Sequence, residues 1–246
     1  MKKNYEEKLP KIEDINDKYP KKLFFGIFAL FYLIYYCGIT KYILNELNIF
    51  KNITYLGSII MSISFLVIME LTIIVLFWSR IKRDAKLLIK NFKTYFKYNI
   101  HIFARYFWIY ILATIGIVAV LYKMGIVTPE STNEQNLQQV PTGLVFVLAI
   151  FSAPILEEGM FRWIIRKITD NKWVYILISG FLFGLIHVNY WGNQELYQVI
   201  FIFQYAILGM MMAESYYNTN NLLASSLLHA SWNFVMMILQ IMINLR

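Results

Sequence analysis

The sequence has little charge, a single cysteine and no candidate signal peptide. Charged residues make up 15% of the 246 residues, whereas a soluble domain usually carries about 25%. Cys37 stands alone, which excludes an internal disulfide and any cysteine-rich metal site. Residues 1–22 are charged throughout and have no apolar core, so they predict a cytoplasmic tail rather than a leader. These scarcities together exclude an ordinary soluble domain.

Long apolar runs take the place of the missing charge, since 59% of the residues are hydrophobic. A helix needs about 20 apolar residues to cross the bilayer core. Candidate spans cover residues 23–43, 53–78, 103–122, 143–167, 173–191, 195–215 and 222–244. Residues 80–100 interleave Leu, Ile and Phe with lysines, which predicts an interfacial amphipathic helix. The predicted fold class is all-α, a polytopic membrane helical bundle of about seven spans.

The basic residues indicate how the chain is organised and oriented. A tail at 1–22 precedes a first membrane region at 23–140 and a membrane core at 141–246. Lysine and arginine are concentrated in alternate connections, which predicts a cytoplasmic N-terminus in the cell membrane and an external C-terminus. The net charge of +8 lies in blocks between apolar segments. It therefore indicates contact with the lipid bilayer and excludes nucleic acid as a partner; the oligomeric state stays open.

Ionisable residues inside the apolar segments are candidates for a functional site, because each is unfavourable there unless paired. Three short patterns in the C-terminal half contain them: Glu157, Glu158 and Arg162 in EEGMFR, Phe183 and His187 in FGLIH, and His229 and Asn233 in HASWN. At 1.5 Å per helical residue, the first glutamate and the two histidines lie ~12–21 Å from the predicted cytoplasmic boundaries. Similar depth on three helices predicts one shared site.

Helical angles separate the two glutamates. Arg162 lies four residues after Glu158 and is expected to pair with it. Glu157 points 100° away and is left free to face the histidines. A carboxylate beside histidines suits hydrolysis, so we expect Glu157, with His187, to activate a water molecule. His229 and Asn233 are expected to donate hydrogen bonds to the oxyanion.

Other polar residues in the apolar segments favour structural roles. The nearby serines are predicted to be small residues that pack between helices rather than nucleophiles: Ser179, Ser225, Ser226 and Ser231. Asn233 can alternatively link two helices through its amide. The remaining buried polar positions are predicted to be paired or to lie at the membrane interface: Glu70, Arg105, Gln204 and Glu214.

EEGMFR, FGLIH and HASWN resemble, in order and spacing, the three motifs of the CPBP family, the CAAX proteases and bacteriocin-processing enzymes also called the Abi family. The resemblance covers roughly residues 141–244. It implies an intramembrane endopeptidase acting on a membrane-associated peptide or protein. It also implies that Glu157 and His187 activate water, that His229 and Asn233 hold the oxyanion, and that Arg162 is structural or contacts substrate.

Two questions stay open from the sequence. The HExxH signature is absent, so no cofactor is expected to be required, although zinc held by His187, His229 and Glu157 is the alternative. A non-catalytic family member, acting in bacteriocin immunity or as a sensor-kinase partner, is the alternative function. A small transporter using the carboxylates as a proton relay is a third reading, but no inverted repeat is evident. The Lys-, Asn- and Ile-rich composition indicates a bacterial source.

Overall fold

The structure is a computed structural model that describes residues 8–10, 23, 26, 29, 55–126, 131, 133–134, 142–188 and 196–244. All regular secondary structure in these ranges is helical, which confirms the predicted all-α class. The main helices are α1 (Tyr55–Lys90), α2 (Phe92–Lys123), the composite α3 that begins at Thr142 and ends at Ile164, α4 (Lys172–Ile186), α5 (Phe201–Thr219) and α6 (Leu222–Asn244). The predicted tail and first span, 1–22 and 23–43, lie almost entirely outside the described residues.

Four helices in the described ranges are long and apolar enough to cross a membrane. They are Phe92–Lys123, Gly143–Ile164, Tyr197–Thr219 and Leu222–Met242. Between them lies the shorter apolar α4, which has 15 residues. The chain is therefore a polytopic helical membrane protein, and the count of seven spans stays a prediction.

The basic stretch 80–100 corrects one expectation. Instead of forming a separate interfacial helix, it is divided at Asn91 between the end of α1 and the start of α2. The reason lies in burial of two charged side chains on α1. The guanidinium of Arg80 donates to the hydroxyl of Tyr216 at 2.7 Å, and Asp84 accepts from the backbone N–H of Leu222 at 2.7 Å. These contacts pack the end of α1 against the α5–α6 turn, so α1 continues as one helix beyond its apolar part.

Three connections meet at one end of the bundle. Arg83 donates to the carbonyl of Asn220 in the α5–α6 turn at 3.0 Å, and the hydroxyl of Tyr217 donates to the carbonyl of Asp170 at 3.0 Å. The end of α1, the α3–α4 connection and the α5–α6 turn therefore share one side. This agrees with the alternation expected from the basic residues, and it assigns the uncharged turn at 219–221 to the same side as the two basic connections.

Helices α4 and α5 pack unusually closely because glycines face each other. A Cβ on Gly180 would lie 2.8 Å from the carbonyl oxygen of Ala206, and one on Gly209 would lie 2.8 Å from the Cα of Gly180. A Cβ on Gly184 would meet the carbonyl of Ile202. Small residues let helix backbones approach in a membrane, where no hydrophobic force drives association. The close approach brings the histidine-bearing end of α4 against α5.

Candidate active site

The two adjacent glutamates lie on α3, which is interrupted by two π-helical turns. The helix runs through Thr142–Val147, a π turn at Leu148–Ser152, a regular segment at Ala153–Glu158 and a second π turn at Gly159–Ile164. π turns are rare and occur frequently at functional sites. Glu157 and Glu158 therefore close a short regular segment held between two irregular ones.

Every acceptor position of Glu158 is used. The guanidinium of Arg162 donates through Nε to Oε2 at 2.9 Å and through Nη2 to Oε1 at 3.1 Å. The hydroxyl of Ser225 donates to Oε2 at 2.5 Å, and Nδ1 of His229 lies 3.1 Å from Oε1. Glu158 and Arg162 are both fully buried. The ion pair expected from the i, i+4 spacing is formed, and it is part of a larger network.

The charge of Arg162 is also fully engaged. Its Nη1 donates to the hydroxyl of Ser179 at 2.7 Å, and Ser179 in turn donates to the carbonyl of Phe161 at 2.7 Å. The guanidinium carbon lies 4.9 Å from the ring centroid of Phe183. A guanidinium over an aromatic face is attracted by the ring quadrupole. Arg162 therefore joins α3 to α4 in addition to neutralising Glu158.

His229 lies between the two carboxylates. Its Nδ1 contacts Glu158, and its Nε2 lies 3.9 Å from Oε2 of Glu157. Because Glu158 is held as an acceptor by Arg162 and Ser225, the hydrogen of the Nδ1 contact belongs to the histidine. Glu157 differs from its neighbour, since its buried Oε2 makes no hydrogen bond within the described part of the chain.

His187 follows the last turn of α4, with its Nδ1 2.8 Å from the carbonyl of Phe183. A carbonyl only accepts, so Nδ1 carries the hydrogen and Nε2 of the neutral ring is an acceptor. The imidazole stacks between Phe183, at a centroid distance of 4.4 Å, and Tyr205, at 4.7 Å. Phe183 also lies 5.7 Å from the ring of His229, so it contacts both histidine rings.

The two histidines stand in different relations to Glu157. The structure brings His229 next to Glu157, and among the described residues no hydrogen bond or ion pair joins Glu157 to His187. His187 lies at the C-terminal cap of α4, about one helical turn beyond Phe183. The ring of Phe183 contacts both histidine rings.

Asn233 contacts the backbone of α3. Its Nδ2 donates to the carbonyl of Ala149 at 2.8 Å, in the first π turn. A π turn leaves carbonyls without their usual i+4 partner, and this amide satisfies one of them. The link between two helices, given above as the alternative for Asn233, is present. The oxyanion role stays a prediction for the second amide hydrogen.

Sequence reasoning missed Ser179 and Ser225. Both were expected to be small packing residues, yet each makes a buried hydrogen bond to the Glu158–Arg162 pair. A signal was available for Ser225, which lies four residues before His229 and therefore on the same face of α6. Ser179 carries no such signal, because its contact depends on how α4 is rotated against α3.

The polar residues expected to be structural are paired. Arg105 lies 2.6 Å from Glu214, and Tyr106 donates to the same carboxylate at 2.9 Å. Gln204 donates to the hydroxyl of Tyr110 at 2.7 Å. Glu70 accepts from Ser152, next to the first π turn, at 2.9 Å. These contacts leave Glu157 as the carboxylate that structural pairing does not account for.

The zinc alternative requires three ligands around one point. Within the described ranges, no three His, Cys, Asp or Glu side chains are grouped as a metal site. His229 lies near Glu157, but His187 turns its Nδ1 to the backbone and its ring to two aromatic side chains. The proposed zinc ligands are thus not assembled here, and the question of zinc stays a prediction for experiment.

Fold and site together define a class: a multi-pass helical membrane protein with a buried cluster of carboxylates and a histidine between its apolar helices. Residues 139–235 match the family model of the Rce1-like type II CAAX prenyl endopeptidases. This range contains every residue of the three motifs. The match confirms the resemblance inferred from the motifs, and it covers residues 139–235 of the 246.

Two curated relatives come from Lactococcus lactis subsp. lactis (strain IL1403). UPF0177 protein YbdI is 28% identical over 118 residues, which cover 48% of this chain and 61% of the relative. UPF0177 protein YxdF is 29% identical over 140 residues, which cover 52% of this chain and 73% of the relative. The chain thus spans less than two thirds of the length of YbdI. No solved structure is significantly similar to this chain.

Proposed function

We propose that this protein is an intramembrane endopeptidase that hydrolyses a membrane-associated peptide or protein with water activated by Glu157. The observation that carries the proposal is the contrast between the adjacent carboxylates. Glu158 is saturated by Arg162, Ser225 and His229, whereas Oε2 of Glu157 is buried without a hydrogen bond in the described part of the chain. A buried carboxylate oxygen that no structural contact uses is suited to accept a proton.

The distance between Glu157 and His229 supports the assignment of base and oxyanion donor. In a tetrahedral intermediate, the attacking water oxygen and the oxyanion are bonded to one carbon. The base and the donor must therefore lie only a few ångströms apart on the same side of that carbon. Oε2 of Glu157 and Nε2 of His229 are 3.9 Å apart, which is too far for a direct hydrogen bond. The separation leaves room for the reacting atoms to bridge the two groups.

Glu158 orients the ring of His229 through Nδ1. A carboxylate on Nδ1 holds the ring in one orientation, as the buried aspartate does in serine-protease triads. In the proposed reaction, Nε2 of this oriented ring carries the hydrogen that is donated to the developing negative oxygen. Preorganised donors of this kind contribute about 3–4 kcal/mol each to lowering the barrier. The pairing of Glu158 therefore serves His229 as well as Arg162.

The proposed reaction balances without any further reagent. Glu157 takes a proton from water as the water oxygen bonds to the carbonyl carbon, and the carbonyl electron pair moves onto oxygen. His229 holds that oxyanion, with the second amide hydrogen of Asn233 as a further donor. Nε2 of His187 accepts a hydrogen bond from the other hydrogen of the water. The C–N bond then breaks as Glu157 returns its proton to the leaving nitrogen, which gives a carboxylic acid and an amine. The acid proton passes to the amine, which leaves a carboxylate and an ammonium.

We propose an orientation with the N-terminus in the cytoplasm of a bacterial cell. The shared end formed by the α1 terminus, the α3–α4 connection and the α5–α6 turn is then cytoplasmic, as the positive-inside rule expects. Labelling of single cysteines introduced at 84–97 and 168–172 should occur from the cytoplasm, and labelling at 128–140 from outside. Cytoplasmic labelling at 128–140 would reverse the orientation.

The peptidase proposal is tested by comparing membrane peptidomes of wild-type and Glu157→Gln cells. Uncleaved precursors should accumulate in the variant and their fragments should disappear, at equal protein abundance. Glu70→Gln is the matched control, because it changes a partly exposed carboxylate that contacts Ser152 outside the histidine cluster. Identical peptidomes in wild type and Glu157→Gln would favour the non-catalytic reading, an immunity protein or a sensor-kinase partner.

A further inference from the structure

The imidazole of His187 is held by two rings from different helices. Phe183 belongs to its own helix and to its own motif. The second ring is Tyr205 of α5, whose plane is 19° from that of the imidazole at a centroid distance of 4.7 Å. Tyr205 belongs to none of the three sequence patterns. It stacks on the imidazole in addition to the tilted contact of Phe183.

Tyr205 is itself fixed at its hydroxyl end. The hydroxyl lies 2.7 Å from Oγ of Ser131, and Asn133 donates to it at 3.4 Å. Ser131 donates its hydroxyl hydrogen to Glu134 at 3.0 Å, so the hydrogen in the Ser131–Tyr205 contact comes from the tyrosine. Ser131 is 1% exposed. The tyrosine ring is therefore anchored by α5 at one end and by a buried serine at the other.

His187 needs such support because of its place in the fold. It is the residue that caps α4, and its own backbone N–H bonds only to the last turn. Its Nδ1 bond to the carbonyl of Phe183 fixes one ring atom. Rotation about that bond would still swing Nε2, the atom that the proposed function assigns to water. The ring of Tyr205, stacked on the imidazole at 4.7 Å, opposes this rotation.

We propose that Tyr205 is a positioning residue that holds His187 for the reaction. The inference rests on the proposed function, since it assigns Tyr205 a part in the same site. The stacked aromatic ring of Tyr205 positions the imidazole, and its hydroxyl helps to hold that ring. Replacing Tyr205 with Phe keeps the stacked ring, whereas replacing it with Leu removes the ring and keeps an apolar side chain.

The first test measures the imidazole directly and needs no substrate. Full-length protein in detergent micelles is treated with diethyl pyrocarbonate, and mass spectrometry follows the modification rate of each histidine. His187 should react several-fold faster in Tyr205→Leu than in wild type and near the wild-type rate in Tyr205→Phe. His101, which is exposed on α2, serves as the internal reference. Phe203→Leu is the matched control, because Phe203 lies on α5 but is 63% exposed.

The second test measures turnover of the precursor that accumulates in Glu157→Gln membranes. A misplaced catalytic group lowers turnover by ~10–100-fold, so Tyr205→Leu should lose kcat with an unchanged KM. Tyr205→Phe and Phe203→Leu should cleave near the wild-type rate. The proposal is overturned if Tyr205→Leu leaves both the modification rate of His187 and kcat unchanged. If Tyr205→Leu exposes His187 while no precursor is found for any variant, the peptidase proposal fails and the catalytic role of Tyr205 with it.

Discussion

Two neighbouring residues on α3 have opposite surroundings. Glu158 is enclosed by a cation, a hydroxyl and an imidazole, and all of its acceptor positions are used. In the described part of the chain, Oε2 of Glu157 makes no hydrogen bond and lies 3.9 Å from Nε2 of His229. The 100° between successive helical residues is enough to produce this difference. The comparison teaches that a charge inside a membrane is explained by its partners, and that the carboxylate without them is the functional candidate.

A second ion pair, more exposed than that of Glu158 and Arg162, shows how burial changes the importance of a charge. Arg105 and Glu214 form an ion pair like that of Arg162 and Glu158, but the side chain of Arg105 is 45% exposed. Arg162 has no exposed surface at all. An exposed guanidinium that loses its partner can turn to lipid headgroups or water, whereas a buried one cannot. Breaking the two pairs should therefore have unequal consequences.

The largest expected effect on stability is that of Glu158→Gln. It leaves Arg162 buried without a counter-charge, and breaking a buried pair by removing one partner destabilises by about 3–5 kcal/mol. The double variant Glu158→Gln with Arg162→Met should regain part of this loss, because the uncompensated charge is gone. Thermal unfolding in detergent and abundance in membranes measure both variants.

Glu214→Gln is the matched control for that prediction. It also removes the carboxylate of an ion pair, but its partner Arg105 is half exposed. The melting temperature should fall less than in Glu158→Gln. Equal falls for the two variants would show that full burial of the Glu158–Arg162 pair does not set its importance.

Ser225→Ala should have an intermediate effect. It removes the hydroxyl that donates to Glu158 at 2.5 Å, and a hydrogen bond to a charged group is worth about 1.5–3 kcal/mol. Ser226→Ala is the neighbouring control, because Ser226 donates only to backbone carbonyls, at about 0.5–1.5 kcal/mol. The ratio of the two losses measures how much the Glu158 network adds to ordinary helix packing, and a larger loss for Ser226→Ala would contradict the network.

Removal of zinc is expected to have the smallest effect. The proposed reaction uses Glu157 as the base and draws on no metal, so prolonged chelation should leave turnover unchanged. Purified protein with stoichiometric zinc, whose activity returns only when zinc is restored after chelation, would replace this scheme. His187, His229 and Glu157 would then be the ligands to examine.

Sequence reasoning reached the class of fold and the local geometry of the site. Burial of apolar runs predicts helices, and the i, i+4 spacing predicts the pair of Glu158 with Arg162, because both depend on one helix alone. Contacts between side chains on two different helices were harder to predict from the sequence. The rotation and axial offset of α4 and α6 against α3 decide that His229, and not His187, lies next to Glu157.

Irregular backbone limited the sequence reasoning further. Two π turns flank the glutamates, and each shifts the angular register that an ideal α-helix would keep. Asn233 bonds to a carbonyl of one such turn, which no count of regular spacing indicates. The basic stretch after residue 80 was misjudged for a related reason, since the buried contacts of Arg80 and Asp84 involve the distant α5–α6 turn.

The most direct test of the account is the turnover of Glu157→Gln measured beside its folding. Gln keeps the size and polarity of the side chain but cannot accept the proton. Turnover of the accumulated precursor should fall by at least ~100-fold, the scale of general-base loss. Membrane abundance and melting temperature should stay at wild-type values, because Oε2 of Glu157 makes no structural hydrogen bond in the described part of the chain. A Glu157→Gln protein that still cleaves, beside a Glu158→Gln protein that is inactive and normally stable, would contradict the account and reverse the roles of the two glutamates.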